Sequence, residues 1–383
     1  MKILMVSIFA PHFFNWAEQL KDSGHEVYWL DVFDSNTRVE QIGFVDQIIG
    51  WRYKWDYPGR YFIKKEVPKL NKFINKFNEK DLAENFESKI QEIQPDVVHS
   101  FVMFLSCVPV FEVIKKYPQI KWIYSSWGSD LYFYQNRKKE LADIKKVLPH
   151  IDYLFADCYR DYKLALNFGF QGKLLGVFPG RGGFDFKKSD PYIKMFENRK
   201  SILIKGYQDE QGRCITILDA ITQLRDELKE FNIIVFGANS KVEKYIAGSD
   251  FESWDNLIIL KKIPEFEVLK LMGESLIYIG NSISDGMPNT LLESIIMGAF
   301  PIQSNPGGAT SELIQHQNNG FLIQDPLDVS EIKSLILKAI NDRTFLAQAV
   351  EYNFKQIKPK LEREFVRQEV LKKYSLVGKA LNP

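Results

Sequence analysis

The sequence predicts an α/β protein made of two doubly wound domains, each a parallel sheet covered by helices. Short runs rich in β-branched and aromatic residues alternate with helical stretches, which is typical of parallel sheets. This alternation begins again after Lys200, behind a segment rich in glycine, proline and charge. A length of 383 residues also suggests two domains.

Six strands are predicted in each half of the chain. The first six lie at 2–8, 26–32, 96–101, 121–126, 153–156 and 173–178. The second six lie at 201–206, 232–237, 256–260, 276–280, 299–304 and 320–323. A helix from about Phe13 to Ser23 follows the first strand, with Gly24 as its C-terminal cap. We expect the carboxyl ends of both sheets to line one cleft, where open α/β sheets bind ligands.

The domain boundary is placed in the segment 179–192, because its glycines, prolines and charges are typical of an interdomain linker. The N-terminal Rossmann-like domain is predicted to span 1–182, and the C-terminal one 183–360. The last helical segment, 361–383, is expected to pack back on the N-terminal domain.

Composition argues against several classes of protein. The chain has 50 basic and 49 acidic residues, so no global field favours nucleic acid. Cys107, Cys158 and Cys214 lie far apart, without disulfide or metal-ligand spacing, and are expected to be reduced core thiols. We find no signal peptide and no apolar run of 18 residues, so we expect a cytoplasmic protein.

The segment 277–312 is the most informative part of the chain. It is interpreted as a buried strand, a polar loop, a helix, a short strand and a Gly-rich turn entering another helix. Asp285 lies in the loop at the helix mouth and Glu293 about one turn into the helix. Helix N-termini attract anions, and two of them are predicted here, near Asn289 and near Ala309. Two such sites suit a ligand with a diphosphate at one end and hydroxyls at the other.

A family resemblance rests on this segment. The string SDGMPNTLLESIIMG, continued by AFPIQS, NPGGATSE and NNGFLI, resembles the acid-x7-acid signature of retaining glycosyltransferases of the GT-B fold, glycosyltransferase family 4 (group 1). The match covers most of the second domain and the first domain more loosely. It implies two Rossmann-like domains facing a cleft, the N-terminal one binding the acceptor and the C-terminal one a nucleotide-sugar donor.

The resemblance implies a role for each acid. Glu293 inherits the contact with the ribose hydroxyls, and a carboxylate can accept both hydrogen bonds of a vicinal diol. Asp285 inherits the contact with the donor sugar, although the family usually has a glutamate there, whose reach is roughly 1.5 Å longer. Taken without the surrounding string, Asp285 would be a helix cap and Glu293 a solvated helix residue.

Two further loops resemble donor-binding loops of the family. Lys205 and Arg213 stand where the family commonly places cations against the diphosphate, and solvated loop charges are the alternative. Ile263 and Pro264 resemble the loop that meets the nucleobase, with an ordinary strand-to-helix turn as the alternative. The donor-binding residues implied are Lys205, Gly206, Arg213, Ile263, Pro264, Gly286, Met287, Pro288, Asn289, Thr290 and Glu293.

The first domain carries a looser resemblance. SSWGSDLY (125–132) resembles the family's His-Gly-x-Asp loop, with Trp127 in place of the histidine. Asp130 either orients a hydroxyl or caps a helix, and His99 is either functional or a packed polar residue. The catalytic candidates are therefore Asp285, Asp130 and His99, and the acceptor-side candidates are His12, Trp127, Gly128 and Ser129.

The segment 51–77 interleaves aromatic residues with lysines and arginines and then continues with helical apolar spacing. Such a surface suits anionic lipids at a membrane interface. The alternative is an acceptor-side loop packed on its own domain. Both interpretations stay open.

The sequence as a whole predicts a retaining glycosyltransferase of the hexosyltransferase type. It would move a sugar from a UDP- or GDP-sugar to a carbohydrate or lipid-linked acceptor in cell-surface polysaccharide biosynthesis, without a metal or other cofactor. It would be cytoplasmic. Peripheral contact with the inner face of the membrane stays open as an alternative. The alternatives are a sugar-nucleotide epimerase or phosphorylase on a similar fold and a non-catalytic nucleotide-sugar-binding protein.

Overall fold

The computed structural model describes residues 1–381, apart from the side chain of Tyr61. They form two compact units. Unit 1 comprises 1–156, 162–177 and the chain from Glu369 onward, and unit 2 comprises 157–161 and 178–368. The segment 178–182 therefore belongs to unit 2, although the predicted boundary follows residue 182. The last two residues of the predicted terminal segment, 382–383, lie outside the described residues.

Unit 1 is built on a parallel sheet of seven strands among the described residues, in the order β3-β2-β1-β4-β5-β6-β7. The strands are β1 (Lys2–Ser7), β2 (Glu26–Asp31), β3 (Asp46–Ile48), β4 (Val97–Phe101), β5 (Lys121–Ser125), β6 (Tyr153–Ala156) and β7 (Lys173–Val177). All five residues of β4 are buried, as expected for a parallel strand covered on both faces. Strand β3 was not predicted, since three residues show too little alternation to reveal a strand.

The helices that begin before residue 160 accompany this sheet. They are α1 (Pro11–Glu18), α2 (Arg60–Glu66), α3 (Pro68–Asn78), α4 (Leu82–Ile93), α5 (Phe111–Ile114), α6 (Lys138–Val147) and α7 (Tyr159–Asn167). Helix α1 starts at Pro11, whose fixed φ suits the first helical position. It ends at Glu18, before the predicted end at Ser23, and the chain then continues in turns.

Unit 2 is built on a parallel sheet of six strands among the described residues, in the order β10-β9-β8-β11-β12-β13. The strands are β8 (Ser201–Lys205), β9 (Asn232–Phe236), β10 (Leu257–Leu260), β11 (Ser275–Gly280), β12 (Phe300–Ser304) and β13 (Phe321–Ile323). Ile202 and Ile204 pack into one apolar cluster and Leu203 into another, so alternate residues of β8 serve the two faces of the sheet.

The helices of unit 2 precede, connect or follow these strands. They are α8 (Phe186–Ser189), α9 (Cys214–Thr222), α10 (Arg225–Leu228), α11 (Ser240–Ile246), α12 (Glu265–Glu274), α13 (Asn289–Met297), α14 (Val329–Asn341) and α15 (Arg343–Tyr352). The terminal helix α16 (Arg363–Leu381) begins in unit 2 and continues into unit 1. Each of the twelve predicted strands is present, with bounds within one residue of the prediction.

The predicted second helix mouth near Ala309 is wrong. The chain after β12 forms two three-residue 3-10 turns, Pro306–Gly308 and Thr310–Glu312. Gly307 and Gly308 both have positive φ, 62° and 87°, which a right-handed helix cannot contain. The anion site expected there therefore has no helix behind it.

The segment 179–192, predicted as an interdomain linker, packs within unit 2 and directly follows the end of unit 1 at Val177. The backbone N–H of Phe184 donates to the Leu361 carbonyl at 2.8 Å, and that of Arg363 donates to the Phe184 carbonyl at 2.9 Å. A Cβ on Gly183 would lie 3.0 Å from the Arg363 Cα, so glycine permits this close packing.

The C-terminal part of α16 completes the core of unit 1. Tyr374 is fully buried, and its hydroxyl lies 2.6 Å from Nδ1 of His99 and 3.3 Å from the indole nitrogen of Trp16. Phe155 packs 5.7 Å from the Tyr374 ring. Among the described residues, no helix combines the length and apolar character that crossing a bilayer requires.

Replacing Tyr374 should destabilise unit 1. We expect Tyr374→Ala to lower the free energy of unfolding by about 3–5 kcal/mol, since it removes a fully buried ring. Tyr374→Phe should cost about 1–3 kcal/mol, because His99 and Trp16 lose a polar partner in the core. Urea unfolding measures both, with exposed Ser375→Ala as the control in the same helix. A loss below about 1 kcal/mol in Tyr374→Ala would contradict the assigned packing.

Candidate functional site

The candidate site lies at the carboxyl ends of β8 and β11, neighbouring strands at the point where the strand order of unit 2 reverses. Open α/β sheets bind ligands at such a switch point. The loops that follow the two strands are hydrogen-bonded to each other. The backbone N–H of Arg213 donates to the Asn281 carbonyl at 3.0 Å, and that of Ile283 donates to the Gln211 carbonyl at 2.9 Å. The two predicted donor-binding loops therefore form one continuous rim.

Lys205 and Asp285 are brought together on this rim. Lys205 ends β8, and its Nζ lies 3.8 Å from Oδ2 of Asp285. Both side chains are partly buried, 18% and 27% exposed, so water screens this pair less than a surface pair. Gly206 follows, and a Cβ there would collide with the backbone of Phe236 and Ala238. The glycine thus lets the chain leave β8 close to the sheet, with the ammonium at its edge.

Glu293 is buried and paired. It lies in the second turn of α13 with 5% of its surface exposed, and Nη1 of Arg181 donates to its Oε1 at 2.6 Å. The other guanidinium nitrogen, Nη2, donates to Oε1 of Glu265 at 2.5 Å. Burial raises the pKa of Glu293 to about 7, and the charge of Glu265 adds to this, while Arg181 and Lys205 oppose it. Arg181 therefore limits this rise, and the Glu293 carboxyl changes its protonation state near neutral pH.

Sequence reasoning missed Arg181 and Glu265. Arg181 lies in the glycine-rich string that was interpreted as a linker, and its partner Glu293 follows 112 positions later. No spacing rule could have connected the two. The neighbouring glycines 182 and 183 were a signal of tight packing that pointed at this segment.

The predicted nucleobase loop, Ile263 and Pro264, directly precedes Glu265, which Arg181 contacts. Glu265 is the first residue of α12, and Pro264 is its N-cap residue. Ile263 and Met287 both pack against the apolar cluster that contains Leu292. The start of α12, Arg181 and Glu293 therefore lie side by side, as expected if one ligand touches them all.

Residues 157–161 hold the Asp285 loop in place. Nη1 of Arg160 donates to the carbonyl oxygens of Asp285 and Pro306, at 2.7 and 2.8 Å. Nη2 of Arg160 donates to the Asp161 carboxylate at 2.7 Å. Gly286 lies against the Asp157 carboxylate, which a Cβ at this position would overlap. Arg160 was not predicted, because an Arg-Asp pair at the start of a helix carries no sequence signal of a loop 125 positions away.

Arg213 is placed differently from Lys205. Its guanidinium donates to the carbonyl oxygens of Asp209, Glu210 and Gly212 in its own loop. The side chain thus shapes the loop before α9. The structure brings Lys205, Asp285 and Glu293 into one region. The Arg213 guanidinium instead bonds to the backbone of its own loop.

The start of α13 carries the remaining predicted donor-binding residues. Pro288 is its N-cap residue, and Asn289 and Thr290 form its first turn. The hydroxyl of Thr290 bonds the hydroxyl of the fully buried Tyr278 at 2.7 Å. Because backbone N–H groups at a helix start face outward along the axis, this turn can receive an anion.

In unit 1 the structure brings together His12, Trp127 and Asp130. The ring centroids of His12 and Trp127 lie 6.1 Å apart, and Gly128 and Ser129 continue the same turn. Oδ2 of Asp130 accepts hydrogen bonds from the Met103 N–H at 3.0 Å and the Tyr124 hydroxyl at 2.9 Å. With 3% of its surface exposed, Asp130 holds this turn in shape.

His99 lies deeper in β4 and is fully buried. Its Nε2 lies 2.8 Å from Oγ of Ser125, and its Nδ1 lies 2.6 Å from the Tyr374 hydroxyl. Burial holds the pKa of His99 well below its usual value, so the ring stays neutral at physiological pH. This geometry favours the alternative of a packed polar residue.

Comparison with known proteins bears on this site. Residues 186–356 match the family model described as glycosyl transferases group 1. The match supports a glycosyltransferase, as predicted. It includes Lys205, Asp285 and Glu293 and begins after Arg181. No curated protein matches the sequence.

Solved structures confirm the predicted fold class, two Rossmann-like domains as in GT-B glycosyltransferases. Sucrose-phosphate synthase from Thermosynechococcus elongatus is 14% identical, with a TM-score of 0.75 over 99% of this chain and 100% of that one. HepE from Anabaena, in complex with UDP and glucose, is 14% identical, with a TM-score of 0.70 over 98% and 100%. A glycosyltransferase from Rickettsia africae is 16% identical, with a TM-score of 0.67 over 99% and 98%. At sequence identities of 14% to 16%, these structures show a shared fold and no more.

The raised pKa of Glu293 predicts how stability depends on pH. A carboxyl group whose pKa is higher in the folded state than in the unfolded state binds its proton more tightly in the folded state. The folded protein therefore loses stability as pH rises from about 4.5 to about 7. Glu293→Gln has no such titration. The melting temperature of this variant, relative to that of the natural protein, should therefore rise as the pH increases from about 4.5 to about 7. Exposed Glu84→Gln is the control and should keep the natural slope. Parallel pH profiles for Glu293→Gln and the natural protein would contradict the assignment.

Proposed function

We propose that the chain is a retaining glycosyltransferase of family 4. It moves a sugar from a UDP- or GDP-sugar to a carbohydrate or lipid-linked glycan acceptor in cell-surface polysaccharide or glycoconjugate biosynthesis. The observation that carries the proposal is the cluster of Lys205, Asp285 and Glu293 at the switch point of unit 2, inside the segment that matches the group 1 family model. A partly buried cation and two carboxylates near a helix start suit a ligand with both a diphosphate and hydroxyl groups.

The diphosphate is proposed to bind between Lys205 and the start of α13. As the bond to the sugar breaks, the leaving diphosphate gains negative charge, and groups already aimed at it stabilise the transition state more than the ground state. The Lys205 ammonium and the N–H groups of the first turn of α13 are such groups. In this proposal they supply the positive charge, and a metal ion is not required.

The ribose is proposed to bind at Glu293. One carboxylate offers about four lone-pair positions, so its bond to Arg181 leaves capacity for the ribose diol. Arg181 is a positioning residue in this proposal, because it holds the Glu293 carboxyl in place and its charge opposes protonation of the acceptor oxygens. Ile263 and Pro264, next to Glu265, are then close enough to meet the base.

Asp285 is proposed to contact the donor sugar. Its carbonyl oxygen is fixed by Arg160, and its carboxylate lies beside Lys205, so its side chain sits where sugar and diphosphate join. HepE was solved in complex with UDP-glucose, which makes UDP-glucose the first donor to test. An epimerase or phosphorylase would release no free nucleoside diphosphate in response to an acceptor, and a non-catalytic binder would release none at all.

Nucleotide sugars should raise the melting temperature. A donor present at 100 times its dissociation constant adds about 2.7 kcal/mol of stability. In Glu293→Ala we expect binding to weaken about tenfold to a hundredfold, because hydrogen bonds to a charged group are lost. Exposed Glu227→Ala, also in unit 2, should bind like the natural protein. If neither a UDP- nor a GDP-sugar shifts the melting temperature, the proposed function fails. Unchanged affinity in Glu293→Ala would remove only the ribose role.

We also propose that part of the segment 51–77 contacts an anionic membrane surface. Phe62, Phe73 and Phe77 are 66%, 64% and 56% exposed on helices α2 and α3. Residues 60–78 contain six basic residues and one acidic residue. Exposed aromatic rings among lysines suit binding at the headgroup level of anionic lipids. Trp51, in contrast, is buried, and its indole N–H donates to the Asp31 carbonyl at 2.9 Å, so the start of the segment packs on unit 1.

Vesicle binding tests this contact. We expect the protein to co-sediment with vesicles of mixed phosphatidylcholine and phosphatidylserine at low salt and to be released at high salt. The double variant Phe73→Ser/Phe77→Ser should lose most of the binding, because it removes the apolar part of the surface. Phe266→Ser is the matched control, since Phe266 is 56% exposed in unit 2. Binding that is absent at low salt would favour the packed-loop alternative.

A further inference from the structure

The carboxylate of Glu265 is the exposed end of a row of three charged groups in unit 2. Arg181 lies in the middle of this row, with Nη1 donating to Oε1 of Glu293 at 2.6 Å and Nη2 donating to Oε1 of Glu265 at 2.5 Å. The side chains of Arg181 and Glu293 are almost fully buried, whereas that of Glu265 is 53% exposed. A ligand in the candidate site can therefore reach the Glu265 carboxylate.

The protein uses one of the two carboxylate oxygens of Glu265. Among the described residues, Oε1 is bonded to Arg181, and Oε2 has neither a hydrogen-bond nor an ion-pair partner. An ionised carboxylate only accepts hydrogen bonds and never donates them. Oε2 of Glu265 is thus an open acceptor for an N–H or O–H group of a ligand.

Arg181 holds this acceptor beside Glu293. A guanidinium group is planar and rigid, so carboxylates bonded to its two Nη atoms lie next to each other. Cζ of Arg181 lies 5.1 Å from the centre of the ring of buried Phe184, which packs against the guanidinium. The backbone of Phe184 is in turn bonded on both sides to 361–363. A ligand group bound at Glu293 therefore has the Glu265 carboxylate as its neighbour.

The row has a surplus of negative charge when both acids are ionised, because one arginine faces two glutamates. Arg181 and Glu293 alone would form a neutral pair. Surplus negative charge repels an anionic ligand such as a diphosphate. The Glu265 carboxylate therefore favours a ligand that compensates this repulsion by bringing hydrogen-bond donors to it.

The nucleobases differ in the group that they present next to the ribose. In the usual anti conformer, the base edge on the ribose side is the one that faces the minor groove in DNA. On this edge guanine carries an amino group, a donor, whereas uracil and cytosine carry a carbonyl oxygen and adenine has only an acceptor nitrogen. A carboxylate beside the ribose attracts the amino group of guanine and repels the acceptors of the other three bases.

We propose that Glu265 selects a guanine nucleotide as the donor, with its Oε2 accepting a hydrogen bond from the 2-amino group of the base. This inference rests on the proposed function, in which Glu293 binds the ribose and Ile263 and Pro264 meet the base. Glu265 directly follows these two residues, so the loop and the carboxylate address the same base. The donor is then a GDP-sugar, and UDP-sugars bind more weakly.

Calorimetric binding of nucleoside diphosphates to the full-length protein tests this selection. The probes are GDP, UDP, CDP, ADP and inosine diphosphate, whose base is guanine without the 2-amino group. We expect GDP to bind about tenfold to a hundredfold more tightly than each of the other four. The comparison of GDP with inosine diphosphate needs no variant, and equal affinities for these two would overturn the proposal.

A variant of Glu265 separates base selection from support of Arg181. Glu265→Gln should lower the preference for GDP over UDP about tenfold or more, because the amide is uncharged and can donate to the uracil carbonyl. Glu267→Gln, in the first turn of the same helix, is the matched control and should keep the natural preference. If Glu265→Gln weakened all five nucleotides equally, Glu265 would only hold Arg181 in place and the proposal would be overturned.

The nucleotide panel also distinguishes this proposal from the proposed function. Tighter binding of UDP than of GDP by the natural protein would overturn the selection of guanine while leaving a nucleotide-sugar site standing. Absence of binding by all five nucleotides, together with an unchanged melting temperature in the presence of UDP- and GDP-sugars, would overturn both.

Discussion

The buried contact between Arg181 and Glu293 is the interaction on which the candidate donor site depends. Glu293 is removed from water by the packing of α13, and an uncompensated carboxylate in such a place would take up a proton. Arg181 is itself 7% exposed and reaches two glutamates, so it links α13 to the start of α12. Removing one member of a buried pair costs about 3–5 kcal/mol, because the other charge stays behind unpaired. The contact between Arg181 and Glu293 therefore determines both the geometry of the site and the stability of this part of unit 2.

Lys205, Asp285 and Arg160 show how the rim around this pair is built. The sheet supplies Lys205 at the end of a buried strand, and the loop after the neighbouring strand supplies Asp285. Arg160 then binds the backbone of that loop, so the acid is positioned through its carbonyl oxygen while its carboxylate stays beside Lys205. Asp285 and Glu293 are each fixed by an arginine, Arg160 for the first and Arg181 for the second. Such preorganisation is what electrostatic catalysis requires.

The sequence was most informative where the signal is local. The alternation of short apolar runs with helical stretches predicted twelve strands, and the string around Asp285 and Glu293 predicted the loop and helix start of the candidate site. It failed where the deciding contact is distant. Arg181 looked like part of a linker because its partners come more than eighty positions later. The turns near Ala309 looked like a helix start, although two glycines with positive φ end any helix there. His99 shows the same limit, since only the packing of Tyr374 reveals that both of its ring nitrogens are occupied.

Gly286 has a consequence for how this protein can change in evolution. The space that a side chain at 286 would need is taken by the carboxylate of Asp157, a residue 129 positions earlier in the chain. The two positions are therefore coupled. A side chain at 286 would require the Asp157 carboxylate to turn away or a smaller residue to stand at 157. In related sequences this coupling would appear as covariation between two positions that are far apart in the chain.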